Sequence, residues 1–442
     1  MRKTIIALTA MLLLAAVFLS GCTSSSGNEG NDNRSNNSGN NGEATPIDFW
    51  TFNALHVQFY EEMAKLWNEA NPDKQIIFKG EAMPYEDMHN KLLVSLQSGV
   101  GAPDIADIEI SKFSNFLKGS EIPLVDLTPL LKPIYDKYVE ARLLIYSKDN
   151  KVYGLPFHVG ATVMYYNKDI LDEAGVNVDD IKTWADFVDA GKKVTEATGK
   201  PMMTIEITDQ WTFWPMISQR DSDYFDKNGD VILDNQINIE TLEFLHSMIY
   251  DHQVAVPAPG GGHHAEEYYG FMNNGGAAAV LMPMWYMGRF TEYMPDLKGK
   301  IVIKPMPSWE PGGKRSAGMG GTGTVVTKQS KNVNLAQEFL VFAKGSEEGN
   351  KKIWSIMGFD PPRWDVWESE ELKQQNKYTD YFGPDIFSVL TEIKDEINAV
   401  NITEKTPQAA DLVRKTVMFS ALQEQSQTPA EVLKTVAAEL RK

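Results

Sequence analysis

Cysteine is almost missing: Cys22 is the only one in 442 residues. A single thiol closes no intrachain disulfide and falls short of a cysteine-based zinc site. The fold must therefore rest on buried apolar surface. Chains beyond about 250–300 residues divide that surface among several cores, and 43% hydrophobic with 10% aromatic residues is ordinary globular composition. Long apolar runs are also lacking. The one candidate, Thr4 to Leu19, is shorter than the ~20 residues of a membrane-spanning helix. Basic residues are in deficit, with 42 Lys and Arg against 60 Asp and Glu and a net charge of −18. Residues 1–45 carry Arg2, Lys3 and Arg34 against Glu29, Asp32 and Glu43, so the rest of the chain holds the whole excess. Such a surface repels nucleic acid and anionic headgroups. It suits a neutral or a cationic small solute equally.

Cys22 closes Leu19-Ser20-Gly21-Cys22, behind the apolar run that Arg2 and Lys3 precede. A charged start, a short apolar stretch and a small-residue exit make a secretory signal. The four residues resemble the lipobox of bacterial lipoproteins, whose chain is cut before the cysteine and whose thiol is acylated, with palmitate for example. This resemblance implies a signal peptide over 1–21 and a lipid anchor at Cys22, holding the protein on the extracellular side of the cell membrane. The plainer alternative is an ordinary signal with an incidental cysteine. Residues 22–45 are rich in Ser, Asn and Gly with almost nothing apolar, which makes a solvated tether. The folded part is expected from Pro46.

From there strand-like and helix-like segments alternate. Residues 47–50 read as a strand, and Phe59, Met63, Leu66, Trp67 and Ala70 recur at helical spacing before Asn71-Pro72-Asp73 stops them. A strand at 76–78, a helix over 87–96 and a strand at 105–110 follow. This βαβαβ start predicts an open α/β sheet with right-handed crossovers. A similar pattern resumes with a strand at 163–166, helices over 169–174 and 184–198, and strands at 204–207, 277–281, 301–303 and 324–326. A helix over 333–343 and a mainly helical tail over 387–441 complete the chain. Two α/β lobes of similar construction are predicted, crossing near 154–160, 300–307 and 344–356. The N-terminal lobe takes 46–157 and 304–348, the C-terminal lobe 158–303 and 349–442.

Catalytic and metal signatures are weak. His263-His264 precedes Glu266-Glu267, but zinc hydrolases space two His four apart on a helix. Adjacent imidazoles point about 100° apart on a helix, so a glycine-rich loop running into an acidic helix N-terminus is the better reading. No metal or cofactor is expected. A glycosidase needs two facing carboxylates, and nothing singles out a pair among 60 acidic residues. Neither a Gly-x-Ser-x-Gly elbow nor a P-loop is present. Gly318-Met319-Gly320-Gly321-Thr322-Gly323 precedes a strand, whereas a dinucleotide fingerprint follows one. Aromatic residues are more informative. Trp50 and Phe52 with Asn53 lie at the end of the first strand, Trp211 and Trp214 flank a polar turn, and Trp285 with Tyr286 follows the 277–281 strand. Ligands of open α/β sheets gather beyond strand ends. Indole faces stack on the C–H faces of sugar rings while Asn, Asp and Glu bond the hydroxyls. Each Trp alone is as compatible with core packing; together they favour a carbohydrate cleft.

Several segments resemble the extracellular solute-binding proteins of ABC sugar importers. These are Trp50-Thr51-Phe52-Asn53, the run from Gly101 to Asp107, Tyr153-Gly154-Leu155-Pro156, and the run from Tyr165 to Leu171 with Thr183-Trp184-Ala185-Asp186-Phe187 beyond it. The Gly275-to-Ala279 run and Gly320-Gly321 before Val325-Val326 complete the pattern, which covers residues 46–442. Within the family the similarity is greatest to the arabino-oligosaccharide-binding branch of Gram-positive bacilli. The resemblance implies a periplasmic-binding-protein-like fold: two lobes, crossing hinge strands and a helical C-terminal segment, closing on a sugar by hinge motion. It implies a non-enzymatic monomer that takes an oligosaccharide to the membrane subunits of an ABC permease. Carried over by position, it places Phe52, Asn53 and His56 in the first loop, Glu109 and Ser111 after the third strand, and His158 and Gly160 at the first crossing. Trp211 takes the usual aromatic position of the second lobe, Trp285 is the aromatic after the glycine-alanine strand, and Gly320 and Gly321 let the rim approach the sugar closely. Maltodextrin-binding relatives commonly have a carboxylate where this chain has Gly160, which weakens a malto-oligosaccharide assignment. A lipid-anchored glycoside hydrolase and a receptor for peptides or cationic solutes are the rival expectations.

Overall fold

A computed structural model describes residues 44–384, 386–398 and 400–442. The expected signal peptide, Cys22 and nearly all of the expected tether lie outside these residues. The first strand, β1 (Thr45–Thr51), buries Ile47 and Phe49 on one face. Helix α1 (Ala54–Ala70) begins where the Asn53 side chain accepts the Leu55 N–H and ends at Asn71, the stop that Asn-Pro-Asp foretold. Of the predicted apolar positions Leu66 is half-buried and Ala70 exposed; Leu55, Phe59, Tyr60, Met63 and Trp67 of the helix are buried and pack on β1. Burial of each such side chain contributes about 1.5–3 kcal/mol.

Strand β2 (Ile76–Ala82) pairs in parallel with β1, and α2 (Tyr85–Ser98) leads through left-handed Gly99 to β3 (Ile105–Glu109), parallel to β1 on its other side. A small hairpin, β4 (Ser147–Lys148) with β5 (Lys151–Val152), precedes β6 (Leu155–Pro156). The chain then enters a second sheet: β7 (Thr162–Asn167), β8 (Met203–Ile205), β9 (Ala255–Pro257), β10 (Ala279–Pro283) and β11 (Ile301–Pro305). It returns in β12 (Thr322–Val326). The first sheet has the order β2-β1-β3-β12-β6 and the second β11-β7-β10-β8-β9.

This is the expected two-lobed α/β architecture, with one difference in strand sense. The returning β12 runs antiparallel to both β3 and β6, and β7 antiparallel to both of its neighbours. A strand that arrives from the other lobe enters its sheet without the local βαβ crossover that enforces parallel pairing. The connections between sheets run through 157–161 and 306–321, and helix Val333–Gly345 leads back to the second lobe through a short helix and π turn. Helix Trp184–Thr198 matches its predicted bounds because both ends are coded locally. Thr183 and Asp186 form a capping box, and Gly199 takes the left-handed conformation. The tail is helical as predicted, with Pro429–Leu440 packed against helix Gln236–Tyr250. Helix Thr406–Leu412 also reaches the short helix Ile110–Phe113 that follows β3.

Candidate functional site

The ends of β1, β3, β8 and β10 and the start of β12 converge on one cavity of about 350 Å³. From the first lobe it is lined by Phe52, Asn53, His56, Tyr85, Glu109 and Ser111, and from the second by Asp209, Gln210, Trp211, His264, Trp285 and Arg289. His158, Gly320, Gly321 and Phe359 lie along the crossings, and Arg414 comes from the helical tail. A larger depression of about 800 Å³, bordered by Lys182, Asp186, Lys314 and Arg315, presents no aromatic ring.

The first-lobe wall is polar and tightly held. Glu109 accepts the Tyr85 hydroxyl at 2.8 Å and the Ser111 N–H at 2.9 Å, both on Oε2, which also takes the Ser111 hydroxyl. Burial pushes the Glu109 carboxyl up, and the hydrogen bonds from Ser111 and Tyr85 oppose that rise. The Glu109 N–H donates to His89 Nε2 at 3.0 Å while His89 Nδ1 lies 2.7 Å from the Tyr85 carbonyl oxygen. Burial holds that imidazole down to about 4, so it stays neutral and fixes both partners. Phe52 leans edge-on to Tyr85 with ring centres 5.3 Å apart.

The second-lobe wall is aromatic. Trp211 and Trp285 meet at 78° with ring centres 5.4 Å apart, and His264 lies nearly parallel to Trp285 at 5.6 Å. Both indoles are half-buried, leaving ring surface toward the cavity. Trp211 is anchored through its backbone: its N–H donates to Glu206 Oε2 at 2.8 Å, and the His263 N–H donates to Oε1 at 3.0 Å. Glu206 is fully buried, which raises its pKa well above the carboxylate range, with Asp209 adding to the rise. The loop that carries Gly260-Gly261-Gly262 runs into helix Glu266–Asn273 with Glu266 and Glu267 in its first turn, as the sequence suggested. Among the described residues no cluster of three or more His, Cys, Asp or Glu is arranged to hold a metal ion.

Of the strand-end aromatics, Trp214 and Tyr286 are fully buried in the core and Trp50 lies outside the cavity. The residues placed by the resemblance gather in one place, with one exception. Gly160 (φ +85°) sits under Met319, whose N–H donates to the Gly160 carbonyl at 2.7 Å, and is absent from the cavity wall. It turns the crossing chain rather than facing a solute. His158 reaches the cavity but is otherwise buried, and burial drives its pKa well down. Tyr85, Asp209, Gln210, His264, Arg289, Phe359 and Arg414 were missed. Tyr85 and Arg414 lie on helical segments, where strand-end reasoning is blind. Arg414 falls in a π turn, Val413–Val417, a distortion frequent at functional sites with no sequence signature.

Comparison with known proteins adds three findings. The family model for bacterial extracellular solute-binding proteins matches residues 53–350, more than half of the chain. Over the whole of both chains the protein is 57% identical to the arabinooligosaccharide-binding protein of Bacillus subtilis strain 168, and over 88% of both it is 49% identical to that of Halalkalibacterium halodurans. A solved binding protein of an ABC transporter from B. animalis subsp. lactis, in complex with beta-1,6-galactobiose, superposes with a TM-score of 0.76 at 22% identity, covering 90% of this chain and 97% of that one.

Proposed function

The chain belongs to the bacterial extracellular solute-binding protein family, and from that premise we propose that it captures a neutral oligosaccharide, arabino-oligosaccharides foremost. Capture takes place between the lobe built on the first sheet and the lobe built on the second; the boundary expected at 303/304 falls later, because Lys304 and Pro305 still pair with β7. The loaded protein delivers the sugar to the membrane subunits of an ABC permease as a monomer, tethered through lipidated Cys22. The observation that carries this reading is the pair of perpendicular indoles, Trp211 and Trp285, facing the polar wall of Glu109, Ser111, Asn53 and His56 across one cavity. Flat apolar faces orient sugar rings, and fixed polar groups receive their hydroxyls. The relatives from B. subtilis and H. halodurans, named for arabino-oligosaccharide binding, support the choice of sugar.

Charge points the same way. The cavity sets Arg289 and Arg414 against Glu109 and Asp209, so the excess of −18 is not concentrated there. A cationic solute gains nothing at such a wall. Binding and hinge closure are one equilibrium: closure follows only if the sugar binds the closed state better than the open one. The members of the family are binding proteins, and no bond of the solute changes. Titration calorimetry against arabino-, xylo- and malto-oligosaccharides tests the proposal. Arabino-oligosaccharides should give a saturable one-site isotherm, and absence of binding by every sugar at millimolar concentration overturns it.

A further inference from the structure

We propose that Asp107 is a positioning residue that locks the His56 imidazole as a hydrogen-bond acceptor toward the cavity, so that the site demands a hydroxyl donor from its solute at that point. The inference rests on the cavity being the solute site, but its first test does not.

Asp107 is fully buried in β3 and sits behind His56. Its Oδ1 lies 2.6 Å from the Thr324 hydroxyl, and its Oδ2 lies 2.7 Å from both the Thr51 hydroxyl and His56 Nδ1. The direction of one proton can be followed along the chain of contacts. Lys344 Nζ donates to Thr324 Oγ1 at 2.9 Å and to the Leu155 carbonyl at 2.6 Å, so Thr324 must turn its own hydrogen toward Asp107. Thr51 Oγ1 accepts the Asn53 N–H at 3.3 Å and also lies 3.3 Å from His56 Nδ1, but its shortest contact is the 2.7 Å one to Asp107 Oδ2, so the Thr51 hydrogen points to the carboxylate. Three neighbours thus approach a carboxylate that can only accept, and the Nδ1 of His56 must carry its hydrogen.

The remaining nitrogen follows from charge. His56 is 2% exposed, its ring lies on that of Phe157 with centres 4.1 Å apart, and Phe359 meets it edge-on at 5.9 Å. The groups that bear on its protonation are Asp107, which favours the cation, and Lys344 and Arg289, which oppose it. His158 on the neighbouring crossing feels the His56 charge in the same way and also titrates low. Burial outweighs Asp107 and lowers the His56 pKa, so the ring is neutral. A neutral imidazole protonated on Nδ1 presents a bare lone pair on Nε2. No group among the described residues hydrogen-bonds Nε2, and His56 lines the cavity. A solute hydroxyl can donate there, whereas an ether or O-methyl oxygen would set lone pair against lone pair. A site built to bond a hydroxyl discriminates strongly against analogues that lack it.

Nitrogen-15 NMR of the imidazoles in the sugar-free protein reads the tautomer directly. His56 should be neutral and protonated on Nδ1 at pH 8; a ring protonated on Nε2, or a cation, overturns the proposal whether or not any sugar binds. In Asp107→Asn, the amide should shift His56 toward the Nε2–H form and weaken arabino-oligosaccharide binding at least tenfold. An unchanged tautomer with unchanged affinity overturns the role of Asp107. Should that variant fail to fold, singly O-methylated arabino-oligosaccharides give a second reading. One methyl position should cost the wild type at least tenfold and cost His56→Phe nothing further, and equal sensitivity of both proteins at every position overturns the proposal.

Discussion

Gly320 offers the most discriminating perturbation. Its φ of +67° lies in the left-handed region, and a Cβ added there would stand 2.7 Å from Trp285 Nε1 and 3.5 Å from Trp211 Cζ3. Carbon contacts settle at about 3.5–4.0 Å, so in Gly320→Ala the Trp285 indole must withdraw by roughly 0.8 Å or more. Two costs follow, on different quantities. The backbone conformation destabilises the fold by about 1–2 kcal/mol, whatever the neighbours. The displaced indole weakens solute binding by about another 1–2 kcal/mol, a fraction of the loss on truncating an aromatic anchor. A double-mutant cycle separates them. In a Trp285→Ala background there is no indole to strike, so Gly320→Ala should still lower stability in denaturant unfolding yet cost little further affinity in calorimetry. An affinity penalty of the same size in both backgrounds refutes the reasoning, as does unchanged affinity in the single variant.

Three other outcomes are expected. Trp211→Ala and Trp285→Ala should each weaken oligosaccharide binding by about 1–3 kcal/mol in calorimetry; full affinity in both folded variants removes them from the site. Asp360 is 1% exposed, accepts the Ala161 N–H at 2.7 Å, and burial pushes its pKa from 3.8 to about 6. A raised folded-state value means its stabilising contribution is complete below pH 3.8 and lost as pH rises through 6, a change of about 3 kcal/mol at 1.36 kcal/mol per pKa unit. Asp360→Asn should therefore gain stability over wild type as pH goes from 4 to 7, and a gap that stays constant with pH in unfolding titrations contradicts this. Cys22→Ala should abolish incorporation of labelled palmitate and release the protein from the cell surface into the medium; membrane retention without the label argues against the lipid anchor.

What could be seen in the sequence was whatever neighbouring residues decide. The Asn71-Pro72-Asp73 stop, the 184–198 helix and the apolar spacing of Phe59, Met63 and Trp67 are local, and the structure repeats them. The cavity was legible in outline because strand ends converge by topology, so residues just beyond β1, β3, β8 and β10 had to meet. Tyr85 and Arg414 escaped because helices carry them there. Gly160 was misplaced because glycine serves a turn as readily as a contact. The role of Asp107 was invisible for another reason: its partners Thr51, His56 and Thr324, with Lys344 behind Thr324, are scattered over nearly 300 residues and joined only by the fold. Strand sense at β12 likewise depends on which lobe the chain returns from, and no residue within it records that.

The central claim is that a neutral sugar lies between the two sheets with its rings against Trp211 and Trp285. Electron density from crystals grown with an arabino-oligosaccharide tests it most directly. The account predicts sugar in the 350 Å³ cavity, rings flat on the two indoles, with a hydroxyl within 3.2 Å of His56 Nε2. Sugar bound elsewhere on the protein, or an empty cavity at saturating concentration, contradicts it.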